Sequence, residues 1–479
     1  MNNIKLSVDV IEMIVDYNTE SDYIPDEDSS SSEGDTLSTT SVSSDDDEEE
    51  LNYIGDLTED DITSVMEVAM ELIDEYYSAH VLSIASAKFR EEVIAYTTEI
   101  LLTDIDLMIG DTLSQMDIDE ITSEVHEFVN KIHDNYVFFH ARPQRSMSMI
   151  DDPLTESELD VSRILKLERQ IRALTEIPQP AQKTVEWYEF RYNLITASNL
   201  WKVFGSDAMR NSLIYEKCKP LDITQSTSGI THTGSSLHWG VKYEPITVMI
   251  YEAKFNTKIG DFGCIRHPKY PFIGASPDGI NIDTTNVRYG RMLEIKNIVN
   301  RDISGIPKQE YWIQTQIQME TCDLDECDFV ETRFKEYESE CAFYEDNAHK
   351  YKGVILNFIS QETSDGFVPI YKYMPLNIAK DKTTVDEWIS ITKEEAKSDN
   401  LALFSVIYWY LDEFSCVLIP RNREWFTAAC PKIESIWETI LHERETGYEH
   451  RASKKRVPKP APALMVVRLD ADEAPITQA

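Results

Sequence analysis

The stretch FIGASPDGINID, residues 272–283, followed after the polar turn TTNVRYG by RMLEIKNI, constrains this chain more than any other feature. Apolar and β-branched residues flank both halves, and the Gly- and Asn-containing connection reads as a long β-hairpin. Asp278 then lies at a bend beside the strand that carries Glu294 and Lys296. Side chains alternate across a strand, so Glu294 and Lys296 share one face while Ile295 points into the core between them. Two carboxylates and a lysine on one patch are costly unless something pairs them, and a hard divalent cation is the natural partner.

Magnesium takes oxygen ligands octahedrally and keeps several waters, so Asp278, Glu294 and the carbonyl oxygen of Ile295 suffice as its protein ligands. Manganese is the expected substitute. A bound cation lowers the pKa of a water and stabilises charge on a phosphate, with Lys296 orienting or activating that water, which makes phosphodiester hydrolysis the expected chemistry. The same letters also fit a surface hairpin carrying an ion pair, so the surroundings matter. Upstream, GSSLHWGVKYEPITVMIYEAKFN has apolar residues at helical spacing (Val241, Ile246, Met249, Ile250) and places Glu244 just before Pro245. Downstream, QEYWIQTQIQMETC sets Gln314 and Gln318 four residues apart, on one face of a helix.

Taken in order, WGVKYEP, GASPDG, LEIK and YWIQTQIQM resemble the motifs of the YqaJ-type viral recombinase and phage lambda exonuclease family, within the PD-(D/E)XK nuclease superfamily. EWYEFRYNLITASN is similar to a further segment of that family. The resemblance implies an α/β (α+β) restriction-endonuclease-like core, a central mixed sheet flanked by helices. It makes Asp278, Glu294 and Glu244 metal ligands, Lys296 the catalytic lysine and Gln314 a catalytic partner. Tyr311, Gln316 and Gln318 become supports behind the ligands or DNA contacts, and Arg191 and Ser198 a grip on a DNA 5′-phosphate. The implied activity is 5′–3′ resection of double-stranded DNA ends for viral recombination, repair or genome processing, in a large DNA virus. A single-strand annealing protein and a homo-oligomer are the implied partners. Alternatives are a sequence-independent endonuclease with the same centre, or a non-catalytic scaffold that uses the acidic N-terminal region to hold DNA-binding or other basic partners.

The formal charge of −41 opposes nucleic-acid binding only if it is spread evenly. It is not: residues 1–150 hold 36 acidic against 6 basic side chains, leaving −11 for the remainder. Residues 1–55, which include SVSSDDDEEE, read as a disordered acidic tail. Residues 56–150 read as a small acidic helical region, with Val65, Val68, Ala69 and Leu72 and again Ile118, Ile121, Val125 and Phe128 at helical spacing. A capping box at Thr155 and Glu158 opens the nuclease domain, 155–380. Residues 381–450, with the apolar run NLALFSVIYWYLDEFSCVLIPRNREWF, read as a helical extension packed on it, and 451–479 as a flexible basic and Pro-rich tail. Lys202, Arg210, Lys217, Lys242 and Arg301 are candidate phosphate-docking cations.

The seven cysteines form no CxxC pair, which argues for reduced thiols and against a zinc site. No apolar run reaches the roughly 18 residues of a membrane span, and the N-terminal residues lack the basic start of a secretory signal. A soluble protein of host cytoplasm or nucleus, with packaging in the virion as a further option, is expected.

Overall fold

The computed structural model describes residues 58–109, 115–140, 142–148, 161–182, 184–221, 236–360 and 369–452. The expected acidic tail, the capping box at Thr155 and most of the basic C-terminal tail lie outside these residues.

Among the described residues three helices come first: α1 (Glu59–Ala79), α2 (Phe89–Ile109) and α3 (Gln115–Phe139). Thr58 caps α1 by accepting from the Asp61 N–H at 3.3 Å. The buried stripes run through Met66, Ala69 and Ile73 on α1 and Ile121, Val125, Val129 and Ile132 on α3, whereas Val68 and Ile118 are exposed. This unit packs on the rest of the chain through one continuous core. Arg142, just after α3, pairs with both Asp74 (3.1 Å) and Glu424 (3.0 Å). Arg145 donates to the carbonyls of Ala85 and Pro307, and its own carbonyl accepts the Trp312 indole N–H at 2.8 Å.

Next come α4 (Val161–Glu176), α5 (Val185–Tyr192), β1 (Ile195–Thr196), α6 (Ala197–Leu200), α7 (Asp207–Cys218) and α8 (Ser236–Phe255). Short strands β2 (Ile259–Gly260), β3 (Ile265–Arg266), β4 (Ile273–Ala275) and β5 (Gly279–Asn281) lead to β6 (Met292–Asn297). Then follow α9 (Gln309–Cys322), β7 (Glu326–Glu336), α10 (Glu340–Glu345), β8 (Lys352–Ser360), β9 (Pro369–Tyr373), α11 (Lys382–Ser398), β10 (Leu401–Pro420) and α12 (Arg423–Thr446).

Seven strands form one mixed sheet in the order β2-β5-β6-β7-β10-β8-β9, and β1-β4-β3 form a smaller one. The expected α/β class, a mixed sheet flanked by helices, is therefore present. Strands β5 and β6 pair antiparallel as the expected hairpin, and β6 pairs parallel with β7 through the crossover helix α9. Helix α8 covers the face bearing Leu293 and Ile295, which pack with Tyr251 and Val330. Helix α9 covers the other face, with Met292 and Ile313 in the main core.

The expectation of a helical extension over 381–450 needs correction. Residues 382–398 and 423–446 are helical, but Leu401–Pro420 is a 20-residue strand. It lies between β7 and β8 and pairs antiparallel with both, a register shift on each side marking a bulge. A strand covered on both faces carries apolar residues without strict alternation, which is why its sequence reads like a buried helix. The proposed boundary at 380 therefore cuts through the sheet.

Candidate active centre

The site is built where β6 outruns β5. Asp278 follows β4 by three residues, and its backbone N–H bonds the Leu293 carbonyl at 3.1 Å. Its Oδ2 accepts the Ile295 N–H at 2.7 Å, a group left without a partner strand once β5 has diverged. Within a strand the N–H and C=O of one residue share an edge, so the Ile295 carbonyl faces the Asp278 side too.

Glu294 is fully buried and its carboxylate accepts from three side-chain donors. Oε1 accepts from the Lys296 ammonium and from Gln314 Nε2 (2.7 Å), and Oε2 accepts from Gln318 Nε2 (2.7 Å). Gln314 and Gln318, one turn apart on α9, thus converge on one carboxylate as their spacing implied. Gln318 also donates to the Ser276 carbonyl at 3.1 Å, in the loop that carries Asp278. Its Oε1 is buried with no partner among the described residues. The Lys296 ammonium lies 5.0 Å over the Tyr311 ring, which stacks on Phe329.

Glu244 approaches from α8 with its residue still open to solvent. A polar lock fixes that helix: Asn297 Nδ2 donates to the Gly240 carbonyl (3.0 Å), while Thr247 and Thr332 hydroxyls donate to Asn297 Oδ1 (2.8 and 2.7 Å). Burial raises Asp278 well above the usual carboxylate range, and the charges of Glu294 and Glu244 push it further. Packing around its carboxyl raises Glu244, with Glu294 and Asp261 adding to the shift. Burial alone would lower Lys296, but Glu294 and Asp278 outweigh it and the lysine is held protonated. Asp261, in the loop between β2 and β3, belongs to no motif and was not legible as a site residue.

Three carboxylates against one lysine leave the cluster short of positive charge. Asp278, Glu294, Glu244 and the Ile295 carbonyl are hard oxygen donors that a divalent cation would suit. Among the described residues no three His, Cys, Asp or Glu side chains are gathered closely enough to cage an ion by themselves. A cation here would draw most of its shell from water and substrate, as magnesium does.

Gln316 does not join the centre. Two residues along a helix turn a side chain to the opposite side, and its amide donates to the Pro420 carbonyl (3.0 Å) and accepts the Asn422 N–H (2.7 Å). It ties β10 to α12 instead. Arg191, in the last turn of α5, lies 4.5 Å over Trp187. Ser198 is exposed in α6, its Oγ 3.2 Å from that of Thr196. The parallel pairing Thr196↔Gly274 sets this corner beside the strand leading to Asp278, yet neither side chain bonds the carboxylates among the described residues. The candidate docking cations are mostly engaged internally: Lys202 with Glu216, Arg210 with Asp207, Lys242 with Glu336, Arg301 with Glu331, and Lys217 on the Arg191 carbonyl.

Residues 186–325 match the family model of the YqaJ-like viral recombinase domain, from α5 to the turn after α9. That segment is thus similar to a YqaJ-like viral recombinase domain. It contains every candidate side chain above, from Arg191 to Gln318. The chain is 28% identical over 319 residues to an uncharacterized protein of Acanthamoeba polyphaga mimivirus, a large DNA virus. That alignment covers 59% of this chain and 57% of the relative, so the chain spans little more than half the relative's length. Among solved structures, an alkaline exonuclease from Laribacter hongkongensis, alone and with dAMP, aligns at 20% identity over 56% of this chain and 95% of that one, with a TM-score of 0.30. No described helix is long and apolar enough to cross a membrane.

Proposed function

We propose that this chain is a magnesium-dependent deoxyribonuclease that resects double-stranded DNA ends 5′–3′, supplying single strands for viral recombination or repair. The observation that carries the reading is Glu294 buried between Lys296, Gln314 and Gln318 beside a charge-crowded Asp278. A surface ion pair would need neither the burial nor the two amides. The recombinase domain supports DNA as substrate.

When bound, a divalent cation would lower the pKa of an attacking water and stabilise charge on the scissile phosphate. The chain's own groups do the rest. Gln314 and Gln318 fix the Glu294 carboxylate without adding charge. Lys296, held protonated, orients water or the phosphate as a cation and hydrogen-bond donor. Arg191 and Ser198 would hold a terminal 5′-phosphate, one by its guanidinium and the other by a hydroxyl donor.

The test uses 5′-phosphorylated linear duplex and closed circular DNA, with magnesium, manganese or chelator, beside Glu294→Gln. Loss of linear DNA alone, dependent on metal and on Glu294, is expected. Cutting of circles would replace the exonuclease reading with an endonuclease, and no digestion of either would overturn the enzyme reading. Arg191→Ala should slow digestion of phosphorylated ends far more than of unphosphorylated ones.

A further inference from the structure

A groove of about 610 Å³ lies against the C-terminal half of α8, away from the carboxylates, and gathers Lys258, Lys350, Lys352 and Lys380 around one acid, Glu252. Glu252 is already committed, pairing with Lys258 at 3.1 Å and accepting the Ile259 N–H at 2.9 Å. Lys352 is buried and donates to the carbonyls of Phe343 and Asp346, and Lys380 to those of Leu376 and Ile378. Carbonyls satisfy their protons but not their charge. Lys350, exposed, lies 5.2 Å over the Tyr351 ring. Among the described residues none of Lys350, Lys352 and Lys380 has a carboxylate within ion-pair distance, in a chain where acids outnumber bases by 86 to 45. Burial and the Lys352 charge both lower the Lys380 pKa, as expected of cations held together without a counter-ion.

We infer that this groove is a second anion site, taking consecutive phosphates of a DNA strand that extends from the carboxylate cluster. Eight residues separate Glu244 from Glu252 on α8, a rise of about 12 Å. That is about three to four phosphates at 3.4 Å per strand step, and Tyr373, near enough for Glu244 to raise its pKa, lies only two residues before the groove-lining Pro375. The inference rests on the nuclease reading for its substrate.

The test is equilibrium binding of the full chain, in chelator so that nothing is cut, to a duplex and to a single strand between about 50 and 200 mM salt. Lys258→Gln with Lys350→Gln should weaken binding roughly tenfold per lost contact at 0.1 M salt and shrink the salt slope by about 2. The paired arginine substitutions should retain the wild-type slope. Lys393→Gln with Lys397→Gln, an equal charge change at two exposed positions of α11, should also leave it unaltered. The arm that changes shows whether duplex or single strand occupies the groove. Should the double variant fold poorly, Lys350→Gln alone is read for a slope change of about 1. An unchanged slope overturns the groove and leaves the nuclease reading intact, since digestion and its dependence on Glu294 are measured separately. Absence of any DNA binding by wild type overturns it as well.

Discussion

Asp278→Asn should make the metal-free protein more stable while removing its activity. In the folded chain Asp278 is half-buried and its pKa stands well above the ordinary carboxylate range, because desolvation, Glu294 and Glu244 all disfavour the charge. Between the unfolded and folded pKa values the native state holds a proton that the unfolded state has lost. Stability is therefore greatest below about pH 4 on this account and falls as pH rises toward the folded pKa, by about 1.4 kcal/mol per unit inside that window. The loss attributable to this one group is confined to the window between the two pKa values and ceases above the folded one. Asparagine is nearly isosteric and its Oδ1 still accepts the Ile295 N–H, so the variant keeps the 2.7 Å bond and sheds the repulsion. Urea unfolding in chelator at pH 5, 6 and 7 reads this directly. Wild type should lose midpoint with pH more steeply than the variant, and magnesium should close the gap by favouring the ionised carboxylate. A variant less stable than wild type at pH 7, or one with the same pH slope, would refute the reasoning.

Further expectations follow from the same contacts. Gln318→Leu strips Glu294 of a 2.7 Å donor and frees the Ser276 carbonyl, which should cost about 1–3 kcal/mol in urea unfolding and much of the DNase activity. Gln316→Leu should cost similar stability, since Pro420 and Asn422 lose their partner, yet leave the activity of the folded fraction unchanged. Gly353→Ala places a Cβ 2.9 Å from the buried Trp409 ring and should lower stability by about 1–3 kcal/mol without altering metal dependence, as a thermal melt would show.

The centre was legible because its residues obey local periodicities. Period 2 put Glu294 with Lys296, and period 3.6 put Gln314 with Gln318. The same period turns Gln316, two residues from each, away from the centre toward Pro420 and Asn422. Strand β10 was not legible because a residue covered from both sides loses the alternation that marks a strand, and Trp409 and Ile419 are both buried on it. Asp261 reaches Glu244 only through the tertiary fold, so no spacing in the sequence could announce it.

The position of β10 bears on how the molecule is made. Chain synthesis delivers β6, β7, β8 and β9 long before residues 401–420, so β7 and β8 must wait with a long edge apiece that nothing else in the sheet occupies. Exposed edges of this kind invite pairing between chains, and contacts so far apart in sequence form late. A nascent chain halted near residue 380 would thus carry every candidate catalytic side chain and still lack the strand that makes a sheet of its two halves, leaving assembly of the centre a matter for the finished polypeptide.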